Sequence, residues 1–116
     1  MRNLAQLLKG NTEILILSLL QREPMYGYQI IRELESRSAG FFRLGEGTLY
    51  PVLHRLESAG QVTGRWSKLP NGQERRYYSL TQDGEGRLEE QTNAWARFSS
   101  AVDMIVRPTQ VRGAPR

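Results

Sequence analysis

From residue 88 to residue 105 the sequence places Leu88, Gln91, Trp95, Phe98, Val102 and Ile105 at alternating spacings of three and four. Leu88, Trp95 and Val102 recur every seven residues, and Gln91, Phe98 and Ile105 do the same, which is the a/d seam of a pairing helix. Thr81 stands ahead of this stretch as a cap, and Asp83 and Glu85 fall in the first turn, where carboxylates complement the helix dipole. Gly84 and Gly86 weaken that start, and Pro108 ends the helix. The pattern therefore predicts a helix over 82–107 with one apolar stripe, followed by a disordered tail over 108–116. A chain of 116 residues builds a single modest core, so the cover for this stripe is expected from a second chain.

Upstream, residues 1–81 read as one unit. Leu4, Leu7 and Leu8 form a short amphipathic segment that Gly10 breaks, and Asn11 or Thr12 can cap the next helix. Between 14 and 20 every residue but Ser18 is apolar, which suits a central core helix reaching about Arg22; a buried strand would have the same composition. Glu23-Pro24 forces an extended corner. Tyr26-Gly27-Tyr28 then opens a second helix with Ile30, Ile31 and Leu34 on one face, ending near Ser38 and Gly40.

A third helix starts at Gly45-Glu46-Gly47. Leu49, Val52, Leu53 and Leu56 fall at i, i+3, i+4 and i+7, a single stripe that leaves Gly47, Pro51, His54 and Ser58 outward and Thr48, Tyr50 and Arg55 at the flanks. Pro51 is expected in or near the first turn, where a missing donor is tolerated. Two strand-like runs, 62–67 and 74–80, flank Lys68-Leu69-Pro70-Asn71-Gly72-Gln73, whose Asn-Gly is a hairpin signal. The fold class is thus mainly α with a small β-hairpin: a winged helix-turn-helix with a long C-terminal dimerisation helix.

Charge narrows the function. Sixteen Lys and Arg oppose twelve Asp and Glu, and fourteen of the sixteen cations are Arg, the side chain suited to bidentate phosphate recognition. Arg65, Lys68, Arg75 and Arg76 against Glu74 give the hairpin a local balance of +3, so most of the net +4 sits there. There is no Cys and one His, with no Gly-rich phosphate loop and no carboxylate pair that the pattern brings together, so neither an enzyme nor a metal or cofactor site is expected. No apolar run is long enough to span a bilayer, and the N-terminus lacks the apolar region of a signal peptide, so the expected location is cytoplasmic.

Met25-Tyr26-Gly27-Tyr28-Gln29-Ile30, Glu46-Gly47-Thr48-Leu49-Tyr50-Pro51-Val52-Leu53-His54-Arg55-Leu56-Glu57 and Arg76-Tyr77-Tyr78-Ser79-Leu80-Thr81, closed by Gly84, resemble the PadR family of bacterial transcriptional regulators. The resemblance covers about 7–105, and the single short C-terminal helix is similar to the smaller PadR subfamily. Gly45 departs from the small polar residue that relatives often carry there. What the resemblance implies is a homodimeric repressor or regulator on double-stranded DNA, with the third helix in the major groove and the wing on the minor groove or the adjacent backbone. It also implies a small planar aromatic effector near the dimer interface, for which Trp95 and Phe98 are the candidates if two Trp95 rings approach across a two-fold axis.

The candidate DNA contacts are Tyr26 and Tyr28 at a helix N-terminus, Thr48, Tyr50, His54 and Arg55 on the third helix, and Lys68, Asn71, Arg75 and Arg76 on the wing. One of the two tyrosines is expected to pack and the other to reach phosphate, with Tyr26 the outward one. Alternation puts Arg75 with Tyr77 on one face of the strand and Arg76 with Tyr78 on the other. One of these arginines can therefore pair internally, and the pattern does not choose between them. Trp66 is expected to pack against the helices. The dimerisation set is Leu4, Leu8, Leu88, Gln91, Trp95, Phe98, Val102 and Ile105. An outward third-helix face also fits a protein-interaction module, and a basic wing also fits a nonspecific architectural DNA binder.

Overall fold

The structure, a computed structural model, describes residues 11–107. Leu4 and Leu8, with the rest of their segment, and the tail over 108–116 lie outside the described residues. Helix α1 runs Thr12–Arg22 with Asn11 at its N-cap position, and buries Ile16, Leu17, Leu19 and Leu20. This is the all-round apolar helix of the sequence, and α2, α3 and α4 assemble around it with Ile30, Leu34, Leu49, Leu53, Leu56 and Leu88. Helix α2 is Gly27–Arg37, α3 is Glu46–Ser58 and α4 is Gln82–Val106.

The sheet has three strands, not the two of a simple hairpin. Met25–Tyr26 forms a short strand, β1, that pairs antiparallel with β3 (Glu74–Leu80) through Met25 opposite Tyr78 and Tyr26 opposite Tyr77. The other edge of β3 carries β2 (Val62–Lys68), in register from Val62 opposite Leu80 to Lys68 opposite Glu74, so the strand order is β1-β3-β2. The extended corner forced by Pro24 runs on for two residues and satisfies their backbone groups on the open edge of β3. The hairpin turn has Gly72 at φ 92 donating to the Leu69 carbonyl at 2.9 Å, which places Asn71-Gly72 where a left-handed residue is needed.

Helix α3 begins at Glu46, so Pro51 lies in its second turn rather than its first. The helix continues through it at the cost of the bond that an N–H there would donate to the Gly47 carbonyl. Helix α4 starts as its sequence indicates, with the Thr81 hydroxyl accepting from the Gly84 N–H at 3.0 Å. Gly84 is more than a weak helix former, however. A Cβ on it would lie 2.1 Å from the Gln61 carbonyl oxygen, so its bareness lets α4 pack against the α3–β2 connection. Leu88, placed on the pairing seam by its heptad position, is 4% exposed and belongs to its own chain's core. The seam that faces outward begins after it.

Candidate nucleic-acid interface

Helix α3 is anchored on three sides. Leu49, Val52, Leu53 and Leu56 hold it to the core. On one flank the Tyr50 ring covers Gly27: a Cβ there would fall 2.1 Å from the Tyr50 hydroxyl oxygen and 2.6 Å from Cζ. Burial, helped by the nearby Glu46 carboxylate, raises the Tyr50 hydroxyl above its ordinary pKa. On the other flank Arg55 Nη2 lies 3.6 Å from Glu13 Oε2, and Arg87 Nη2 lies 3.5 Å from the other oxygen of the same carboxylate, so Glu13 ties α1, α3 and α4 together. Tyr50 and Arg55, both sequence candidates for DNA contact, thus have partners inside the chain. The face left outward carries Gly47, Thr48, Pro51, His54 and Ser58, all exposed.

The start of α2 borders this face. Its N-cap residue, Tyr26, makes no side-chain cap bond, and its first turn contains no acidic residue, so the positive end of the helix dipole is uncompensated by a side-chain charge there. The two tyrosines exchange the places expected of them. Tyr28 is 52% exposed, whereas Tyr26 is half-buried, packed edge-on against Tyr77 with ring centroids 5.4 Å apart. The cause is β1, which draws Tyr26 onto the sheet. Sequence reasoning missed Arg32, whose guanidinium lies 5.6 Å from the Tyr28 ring centroid. Its only signal was the i, i+4 spacing from Tyr28.

On the wing, the two adjacent arginines take different roles. Arg75 stands over the Tyr26 ring, 4.2 Å from its centroid, and pairs with no described carboxylate. Arg76 crosses to the other face and pairs with Glu57 of α3. Including Glu57, the charge around the hairpin is four cations less two carboxylates, +2 instead of +3. Arg65 and Lys68 are exposed. Asn71 is engaged locally: its Oδ1 accepts from the Gln73 N–H at 2.9 Å, and its Nδ2 donates to Gln73 Oε1 at 3.3 Å. Trp66 does not pack against the helices. It is 60% exposed, and among the described residues the Arg76 guanidinium, 5.8 Å away, stands over its ring.

The distal half of α4 forms a second exposed surface. Trp95, Phe98, Val102 and Ile105 are 49%, 60%, 37% and 79% exposed, and the Trp95 and Phe98 rings lie 5.8 Å apart. Asn11, Ile14, Gln91 and Ala94 complete an open groove with these two rings. Gln91 Oε1 is buried there without a protein partner. No described helix is long and apolar enough to cross a membrane, and no cluster of metal-ligating residues occurs among the described residues.

Three helices about a common core, a two-residue strand leading into the second, an anchored third helix with an outward face, and a basic hairpin beside it define a winged helix-turn-helix protein. The model of the transcriptional regulator PadR-like family matches residues 16–90. The solved structure of a PadR-like transcription factor from Bacteroides fragilis shares 36% identity over 87% of this chain and 95% of its own, with a TM-score of 0.73. That of a PadR-like transcriptional regulator from Bacillus cereus shares 32% identity over 88% and 97%, with a TM-score of 0.78. Among curated proteins, the transcriptional regulator Rv3488 of Mycobacterium tuberculosis is 34% identical over 67% of this chain and 69% of its own length. The chain belongs to the PadR-like family of transcriptional regulators.

Proposed function

We propose that this regulator binds a specific DNA operator as a homodimer, with α3 in the major groove and the β2–β3 wing on the flanking backbone. The observation that carries the reading is the outward α3 face, held by core leucines and by ties at both flanks, yet itself made of small and uncharged or weakly basic groups. Gly47 and Pro51 allow close approach, and Thr48 and His54 offer groups for base edges or phosphates. Tyr28 in the first turn of α2 and Arg32 one turn further on, with Arg65, Lys68 and Arg75 on the wing, supply hydroxyl and cationic groups for phosphates. Tyr26, Tyr50, Arg55, Asn71 and Arg76 contribute through the contacts that hold this surface.

Gln91, Trp95, Phe98, Val102 and Ile105 form the pairing seam between two copies, and the division between the DNA-reading unit and the pairing helix falls inside α4, after Leu88. Two-fold symmetry then calls for an inverted-repeat operator with half-sites about 10 bp apart or a multiple of that. The regulator acts as a repressor, and a planar aromatic effector enters between the Trp95 and Phe98 rings of the two chains. The open groove on that face supports this part of the reading, and an unchanged tryptophan spectrum across a panel of planar aromatics would remove it.

Fluorescence anisotropy with labelled duplex from upstream of the regulator's own gene, with excess random competitor, tests the central claim. A dimer that neutralises about 6 to 10 phosphates loses about 10³ to 10⁵ in affinity between 50 and 200 mM salt. Salt-sensitive binding that survives competitor is the expected result. Binding that competitor abolishes indicates an architectural protein or another operator, and no binding to any duplex at low salt turns the outward α3 face into a protein-docking surface.

A further inference from the structure

We propose that Arg76 is a positioning residue that fixes the wing against α3 through Glu57 and so sets operator specificity, and that it makes no phosphate contact; this rests on the DNA-binding reading above. Four observations converge on its side chain. It runs across Gly64, where a Cβ would lie 2.2 Å from Nε, so the strand opposite leaves a slot for it. Its Nη2 pairs with the Glu57 carboxylate in the last turn of α3. Its guanidinium lies 5.8 Å from the Trp66 ring centroid and 5.7 Å from that of Tyr78. Its Nε is shut away from solvent with no acceptor. A guanidinium so held has its charge matched by Glu57 and an aromatic ring within 6 Å on two sides, and a phosphate would have to displace these contacts.

The pair matters for geometry more than for stability. Both side chains are about one-third exposed, where an ion pair adds little to folding. Among the described residues, however, it is the side-chain hydrogen bond that links α3 to the hairpin. Below it the hairpin is fixed by Val62 and Leu80, which pack toward the core. Above it one further described contact ties the strands to the body, Arg75 over the ring of Tyr26, the N-cap residue of α2. The rotation of the projecting part relative to α3, and with it the placing of Arg65 and Lys68 on the backbone beside α3 in the groove, is set by the Arg76–Glu57 pair, since the Arg75 contact reaches α2 and not α3. Only a planar cation can pair and stack at once, so Lys cannot replace it.

The test compares wild-type protein with Glu57→Gln, Arg76→Gln, the double variant, Arg76→Lys and Gly64→Ala. Anisotropy titrations use the duplex that the wild type selects from a random pool, and a random duplex, across a salt series, with circular dichroism melts to show that each variant folds. Simple electrostatics says that removing the Glu57 charge strengthens binding to a polyanion. Positioning says the reverse: each single variant loses about tenfold in operator affinity, the double is no worse than either single, and random-duplex affinity and salt slope stay unchanged. Gly64→Ala keeps every charge and displaces Arg76, so it shows the same loss even where a charge variant folds poorly. The proposal is overturned if Glu57→Gln binds the operator as tightly as wild type or more so. It is equally overturned if Arg76→Gln weakens both duplexes alike with a salt slope smaller by about one per lost contact. Wild-type protein that binds no duplex at all defeats the DNA-binding reading itself, a result separate from either of these.

Discussion

At Gly84 the distance to the Gln61 carbonyl oxygen, 2.1 Å from a notional Cβ, is set by backbone on both sides. Gly84→Ala therefore forces α4 away from the α3–β2 connection, and should cost about 1–3 kcal/mol, read as a lower urea midpoint with the slope unchanged. At Gly27 the obstructing atoms are the end of the Tyr50 side chain, which can swing out, so Gly27→Ala should cost less in stability and more in DNA affinity, because Tyr50 is one of the ties on α3. Titration at two tyrosines adds a pH limit. Burial raises the Tyr78 hydroxyl against the pull of Arg76, with Glu57 and Tyr50 adding to the rise, and burial raises Tyr50. Folded tyrosines with raised pKa hold their protons longer than the unfolded chain does. The stability they contribute is complete below the unfolded value of about 10 and is lost as pH rises through the folded values. Urea midpoints measured from pH 8 to 11 should fall at the alkaline end, and less steeply in Tyr78→Phe. The sequence shows that residue 84 is glycine and residue 78 tyrosine; the distances that give these residues their roles arise only when distant segments meet.

Among the elements, α4 divides at Gln91. Leu88 is sealed in the core, and beyond Gln91 the apolar residues of the same heptad series stand in the open. The two halves should respond differently to truncation. Leu88→Ala leaves a cavity in the core and should cost about 2–5 kcal/mol of folding stability while the folded fraction keeps the mass of the proposed dimer. Trp95→Ala with Phe98→Ala should instead halve the mass in light scattering and leave a folded winged unit. The elements show where sequence pattern is informative. The stripes of α2 and α3, the Thr81 cap and the Asn-Gly turn were legible because each is a local preference repeated or fixed at a known offset. Strand β1 was not, since two residues have no periodicity and its pairing partner lies some fifty positions away. The outward turn of Trp66 and the inward turn of Leu88 were also hidden, because periodicity tells which residues share a face and not what covers that face.

For the molecule as a whole, the extents are 67, 31 and 23 Å, and α4, with 25 residues, is about 37 Å long at 1.5 Å per residue. Among the described residues, little packs against 92–106, and an isolated helix of about 15 residues is marginal in water even when its sequence favours helix. Their order then depends on a second surface over Trp95, Phe98, Val102 and Ile105, which another copy supplies in the proposed dimer. This links helix order to concentration by mass action, so the melting temperature should rise with protein concentration, and hydrogen exchange should resolve where the added stability resides. In the Trp95→Ala, Phe98→Ala protein, amides beyond Gln91 should exchange close to the unfolded rate, while those of α1 and the β1–β3 ladder stay protected. Full protection out to Val106 in a variant that light scattering shows to be monomeric would mean that α4 is self-supporting. The exposed seam would then have to be explained without the folding of the helix.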